Sequence, residues 1–99
     1  MRTTYHFNDR VEERLVGIDA YIGQDLTPIF NLILAKAAAA TTLVTYTNRD
    51  GRTERYVLIT VSGRTYGVGV NANRTVATTF LAPHMVARDA KNGARRTAI

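Results

Sequence analysis

Ninety-nine residues with 45% hydrophobic and 21% charged side chains describe one ordinary globular domain, large enough to bury roughly two thirds of the surface its unfolded chain exposes. The chain has no cysteine, which excludes disulfides, thiolate nucleophiles and cysteine-based zinc sites and suits a reducing compartment. The net charge of +5 is unevenly placed, because residues 1–47 carry four cations against five acids and residues 48–99 carry nine against three.

The N-terminus MRTTYHFNDR lacks the apolar segment and small-residue cleavage site of a secretory signal, and no run of eighteen apolar residues follows. A cytoplasmic protein without a membrane span is expected. Thr3 to Phe7 reads as a short first strand. A helix capped by Asn8 or Asp9 comes next, with a buried stripe of Val11, Leu15, Ile18 and Ile22 at spacings of four, three and four. Thr27-Pro28 opens a second helix. Its run IFNLILAKAAAA is apolar around most of its circumference, so it is expected to be the most buried helix.

From Thr42 the period changes to two. TLVTYT and TERYVLITV flank NRDG, where Gly51 can take a positive φ. Ser62-Gly63 turns the chain into RTYGVGVN, and Asn71-Ala72-Asn73 turns it into TVATTFLA. Alternation of Val57, Ile59 and Val61 with Tyr56, Leu58 and Thr60 predicts a central strand covered on both faces. Gly67 and Gly69 share one face of the next strand and leave it bare, which admits either a ligand or a closely packed helix. Pro83 opens a last helix, PHMVARDAKN, stopped by Asn92-Gly93, and ARRTAI is expected to fray. The predicted fold is α+β, with two N-terminal helices on a four-stranded antiparallel meander and a short C-terminal helix. It forms a single domain over residues 1–99, ordered from about 3 to 93, with a frayed tail at 94–99.

Eleven of the thirteen cations are arginine, whose planar fork pairs bidentately with phosphate, so a polyanionic partner is favoured over a merely basic surface. His6, Arg10 and Arg14 are four residues apart and share one side of a helix that begins by Tyr5. If Asp9 is the cap, only the arginines stack. Those arginines are either a solvated face or an anion site. His6 and His84 are the only histidines, and neither stands in a metal-ligand spacing. Metal-free acid–base chemistry on RNA fits this inventory, because the substrate's own 2′-hydroxyl serves as nucleophile and the protein supplies a base, an acid and cations. Glu54 or a histidine is the candidate base, a histidine the acid, and sheet arginines the cations.

The run His6-x3-Arg10-x3-Arg14-x2-Gly17-Ile18, a second helix, and an antiparallel sheet whose last strand reads TVATTF resemble the barnase/EndoU/colicin/RelE-like nuclease group over roughly residues 3 to 88. The resemblance implies two helices on one face of a sheet whose other face binds and cuts RNA without metal or cofactor. It implies His6 and Arg10 in the active site, Arg64 or Arg74 on the phosphate, and Thr79 ahead of Phe80 at the last strand. A RelE-like arrangement makes Glu54, Arg64 and His84 the available catalytic set. Arg14 and Tyr66 complete the substrate-binding candidates. The expected function is a metal-independent endoribonuclease, a toxin or phage host-takeover factor, with RNA as partner and a cognate antitoxin or acidic host protein as regulator. The alternative is a catalytically silent module that binds nucleic acid or protein through the same arginines, and a third reading is an assembly protein that pairs a strand edge with a second copy.

Overall fold

Thr4 decides where the first helix begins. The computed structural model describes residues 1–15 and 25–99, and in it the Thr4 hydroxyl accepts the backbone N–H of Phe7 at 3.1 Å and donates to the carbonyl of Thr78 at 3.2 Å. One side chain thus satisfies an orphan donor of the helix and ties the helix to the sheet. Helix α1 therefore spans Tyr5–Arg14, with its cap upstream of the expected Asn8 or Asp9. The extended segment ahead of it shrinks to β1, Arg2–Thr3. Alanine at Thr4 is expected to lower stability by about 1–2 kcal/mol. Serine should retain both bonds, and thermal denaturation of the two variants separates the hydroxyl's contribution from the methyl's.

The described part of α1 buries Val11, and Leu15 just beyond its end, as the stripe predicts, and adds Phe7, which the expected strand had claimed. Gly17, Ile18 and Ile22 lie outside the described residues. Helix α2 spans Thr27–Ala38, and its cap is Leu26 rather than Thr27. Asp25 accepts the Thr27 backbone N–H at 3.0 Å, which holds the Asp25 carboxyl below the ordinary aspartate value. The expectation that this helix is the most buried one is overturned. Only Ile33 and Ala37 are fully buried, and Leu32 keeps 43% of its surface. An alanine-rich helix contacts a sheet along one narrow stripe, so apolar composition alone does not bury its circumference.

The sheet has six strands, and the four-stranded expectation is corrected accordingly. Strands β2 (Thr42–Thr47), β3 (Thr53–Val61), β4 (Arg64–Val70) and β5 (Val76–Leu81) are joined by β1 and by β6 (Arg95–Ala98), in the order β1-β5-β4-β3-β2-β6. β1 runs parallel to β5, so the sheet is mixed; the other pairs are antiparallel. The tail at 94–99 does not fray: Thr42, Leu43, Val44 and Thr45 face residues of β6, and the Ile99 N–H donates to Thr41 at 3.0 Å. All four β6 residues are exposed, which removes the alternating apolar signal that marks a half-buried strand.

Helix α3, Pro83–Lys91, lies on the opposite face of the sheet from α1 and α2. The larger core joins Phe7, Val11, Leu15, Ile33 and Ala37 to Val57, Ile59, Val61, Tyr66, Val68, Ala77 and Phe80. The smaller joins Val44, Tyr56, Leu81 and Val86. Strand β3 is covered on both sides as its alternation predicts. No helix among the described residues is long and apolar enough to cross a membrane.

Candidate active site

The Thr4 cap sets the register of α1, and register sets what the helix presents. Phe7, Val11 and Leu15 enter the core, where Phe7 meets Phe80 edge-on with ring centroids 6.2 Å apart. His6, Arg10 and Arg14 form the neighbouring row at four-residue spacing. Because β1 pairs only with Val76 and Ala77, the rest of β5 is open along that edge, and this row reaches round it.

Arg14 fills part of the opening by donating from Nη1 to the Phe80 carbonyl at 2.8 Å. Arg10 donates from Nη1 to Glu13 at 2.7 Å, while its Nε is buried with no hydrogen-bond partner among the described residues. Burial first and Arg10 second push the Arg14 guanidinium below the ordinary arginine value, with a smaller push from Arg88 and an opposing pull from Glu13. Such a group is still charged at neutral pH. Arg10 and Arg88 thus lie near enough to Arg14 for their charges to act on it.

The rest of the site comes from the sheet face that carries α3. Register pairs Tyr56 with Gly69 and Gly69 with Thr79, so Glu54, two residues before Tyr56, shares the face of Thr79. His6, Arg10 and Arg14 from α1, Glu54 from β3, Thr79 from β5 and Arg88 from α3 line one cleft of about 230 Å³, floored by Leu81 and Met85. Four elements, of which only β5 and α3 are neighbours in the chain, thus deliver an imidazole, a carboxylate, a hydroxyl and three guanidinium groups to one opening. That inventory contains a base, an acid and the cations a phosphoryl transition state requires.

Gly67 and Gly69 leave room for protein rather than for ligand. A Cβ on Gly67 would lie 2.6 Å from Tyr56 Cδ2, and one on Gly69 would overlap the Thr79 methyl. The Tyr56 ring lies against Gly67 and donates its hydroxyl to Asp89 Oδ2 at 2.9 Å. Asp89 is fully buried on α3, and its other oxygen lies 3.4 Å from Arg88 Nη2. Burial and the bond to Asp89 push the Tyr56 phenol far above its ordinary value. Its folded form keeps a proton that the unfolded chain releases above about pH 10, so stability is complete below that pH and falls above it by about 1.4 kcal/mol per pH unit. Phenylalanine at Tyr56 is expected to remove this alkaline slope and to cost about 1–3 kcal/mol at neutral pH, since a buried carboxylate loses a donor. Urea unfolding at pH 7 and above pH 10 reads both effects.

The remaining sequence candidates fall elsewhere. Tyr66 is 1% exposed and stacks on Phe80 at 5.0 Å in the larger core, so it has no surface to offer a substrate at the cleft. Its alternation with Gly67 puts it on the face covered by α1 and α2, away from the cleft, which corrects its expected substrate-binding role. Arg64 is exposed at the Ser62-Gly63 turn, His84 is exposed in the first turn of α3, and neither lines the cleft. Arg74 lines a separate cavity. Arg88 and Met85 were missed by sequence reasoning. The available signal was the four-residue step from His84 to Arg88, which continues one side of the helix toward its C-terminal end. Among the described residues no group of three histidine, aspartate or glutamate side chains could hold a metal ion. No protein-family model, curated protein or solved structure matches the chain.

Proposed function

We propose that the protein is an enzyme of phosphodiester cleavage, acting on RNA without a metal ion. More narrowly, it is an endoribonuclease of the RelE-like kind that its N-terminal motif resembles, suited to the role of a toxin or host-takeover factor. The observation that carries the reading is the single cleft in which His6, Glu54, Arg10, Arg14 and Arg88 meet from three elements.

In this scheme Glu54 accepts the proton of the 2′-hydroxyl as its oxygen bonds to phosphorus. The bond from phosphorus to the 5′-oxygen breaks, and protonated His6 donates to that leaving oxygen. The product ends are a 2′,3′-cyclic phosphate and a free 5′-hydroxyl, so atoms and protons balance with no co-reactant. Negative charge grows on the non-bridging oxygens, where the guanidinium groups of Arg10, Arg14 and Arg88 offer donors. Thr79 is in reach of the same group as a hydroxyl donor from the cleft wall.

Cleavage of RNA in EDTA, with product ends identified by mass, tests the reading. Cyclic phosphate ends are the expected result, and intact RNA after long incubation overturns it. One observation favours a second reading, a silent RNA-binding module: Arg10 is paired with Glu13 and Arg14 with a backbone carbonyl, so both cations already have partners. Salt-sensitive binding without product identifies that case.

A further inference from the structure

We infer that the protein has a second phosphate-binding site, on the sheet face opposite the cleft, where Arg55 and Arg74 hold the RNA strand beyond the point of cleavage. The inference rests on RNA as the ligand but not on its being cut.

Arg55 follows Glu54 directly on β3, so the two side chains leave opposite faces of the sheet at the same level. Register confirms the face of Arg55: it pairs with Thr45, two residues after Leu43, which packs against the larger core. Arg55 and Arg74 line a cavity of about 200 Å³ with Leu43, Val70 and Ala72 among its walls and no acidic side chain. Neither arginine has an ion pair among the described residues, unlike Arg10 and Arg88 in the cleft. Thr45 pairs on its other side with Arg95, which extends the positive row across two strand spacings, on the order of 10 Å.

The turn that presents Arg74 is built for it. Asn71 Oδ1 accepts from the backbone N–H groups of Thr75 and Val76 at 2.8 and 2.9 Å, and its Nδ2 donates to Asn73 and to the Thr75 hydroxyl. The Arg74 N–H closes the turn onto the Asn71 carbonyl at 3.0 Å. Within this cage Arg74 has φ 56°, a left-handed backbone that is unfavourable for a residue with a Cβ and freely available to glycine. Arginine there is a poor choice for the turn and an apt one for a fixed cation. Local strain of this kind concentrates where a side chain is used.

The two sites lie back to back at the end of the sheet formed by the turn over residues 71–74. A strand leaving the cleft past Glu54 crosses that rim and meets Arg74 and Arg55 on the far side. The thickness to be crossed is on the order of 10 Å, about three nucleotides at roughly 3.4 Å each. The apolar walls accept a base or ribose beside the bound phosphate. Arginine-lined, without acidic side chains and with aliphatic walls from Leu43, Val70, Ala72 and Ile99, the cavity suits a nucleotide's mixed surface better than an extended acidic peptide, whose backbone would need a row of hydrogen-bond partners.

The test uses uncleavable 2′-O-methyl RNA, as a trinucleotide that fills the cleft and as a decanucleotide that extends past it. An Arg55→Gln, Arg74→Gly double variant is expected to bind the decanucleotide about tenfold more weakly at low salt. The slope of log affinity against log salt should fall by about 1.4, the value for two phosphates of a single strand. Affinity for the trinucleotide should not change. Arg74→Gly alone is expected to melt at or above the wild-type temperature while losing part of the affinity, which separates ligand binding from folding. An unchanged slope and affinity for the decanucleotide overturn the site, and so does an equal loss with both lengths. Binding of poly-glutamate through the same two arginines, with no RNA bound, also overturns it and marks a protein-binding patch. Wild-type protein that binds the decanucleotide in this arginine-dependent way yet never cleaves RNA refutes the nuclease reading and leaves the second site standing.

Discussion

Alanine at His6, and separately glutamine at Glu54, are expected to lower the rate of RNA cleavage by about 10²–10⁴-fold, the usual contribution of a positioned acid or base. Affinity for uncleavable RNA should hardly move in either case, because neither residue supplies the phosphate charge pairing that Arg10, Arg14 and Arg88 offer. His6 and Glu54 are exposed, so the melting temperature should be retained and the loss of rate cannot be unfolding. The double variant should fall little further than the worse single one, since a base and an acid acting in one step fail together. Full activity in both single variants would sink the assignment. Arg14 is the informative contrast: its bond to the Phe80 carbonyl means that alanine there lowers stability and activity together.

Alanine at Gly67 is expected to destabilise the protein strongly. The new Cβ would stand 2.6 Å from Tyr56 Cδ2, 3.1 Å from Cε2 and 3.3 Å from Leu81 Cβ. The ring cannot swing away cheaply, because Tyr56 is 1% exposed and its hydroxyl is held by the buried Asp89. Overpacking of about 1–3 kcal/mol adds to a loosened buried hydrogen bond of about 1–3 kcal/mol, so a loss of about 3 kcal/mol is expected from chemical denaturation. The consequence extends to the cleft. Asp89 is the residue that fixes α3 to β3, and Arg88 is its neighbour, so displacement of the ring shifts a cleft cation and should weaken RNA binding as well. Tyr56→Leu in the Gly67→Ala background should recover part of the stability, a coupling that a double-mutant cycle measures. Stability equal to wild type in Gly67→Ala would show that the Tyr56–Asp89 contact has slack.

These two results bear on how much of the site could be read in advance. The four-residue spacing of His6, Arg10 and Arg14 was visible, and so was the separation of that row from the apolar stripe of Val11 and Leu15. Whether His6 belonged to the row depended on the cap. Asn8 and Asp9 are both good capping residues by type, but Thr4 serves because it also meets a strand from the other end of the chain, a partner no local pattern reveals. Glu54 and Thr79 could be placed on a common face only through the registers of two strand pairs, β3 with β4 and β4 with β5. Histidine is the more conspicuous proton carrier, yet α3 presents Met85 and Arg88 to the cleft rather than His84, a choice of helix face that only packing on the sheet makes. The arginine weighting points to Arg74 as a phosphate ligand, and only the fold shows that its turn opens onto a cavity on the other side of the sheet from the cleft.

By itself the sequence determined what short-range physics controls: the helix that Pro28 begins and the one that Pro83 begins, the turn at Gly51, the alternation that buries β3 on both faces, and the arginine-weighted charge. Those features depend on residues a few positions apart, whose sterics and hydrogen bonds are settled locally. Only the tertiary structure decided that β1 lies parallel to β5 and β6 beside β2, that α3 covers the glycine face, and that an α1 row, a β3 carboxylate and an α3 guanidinium share one cleft. Each of these joins segments whose pairing is stabilised by contacts across most of the chain's length, and a two-residue strand or a fully exposed one leaves no periodic trace of the partner it will find.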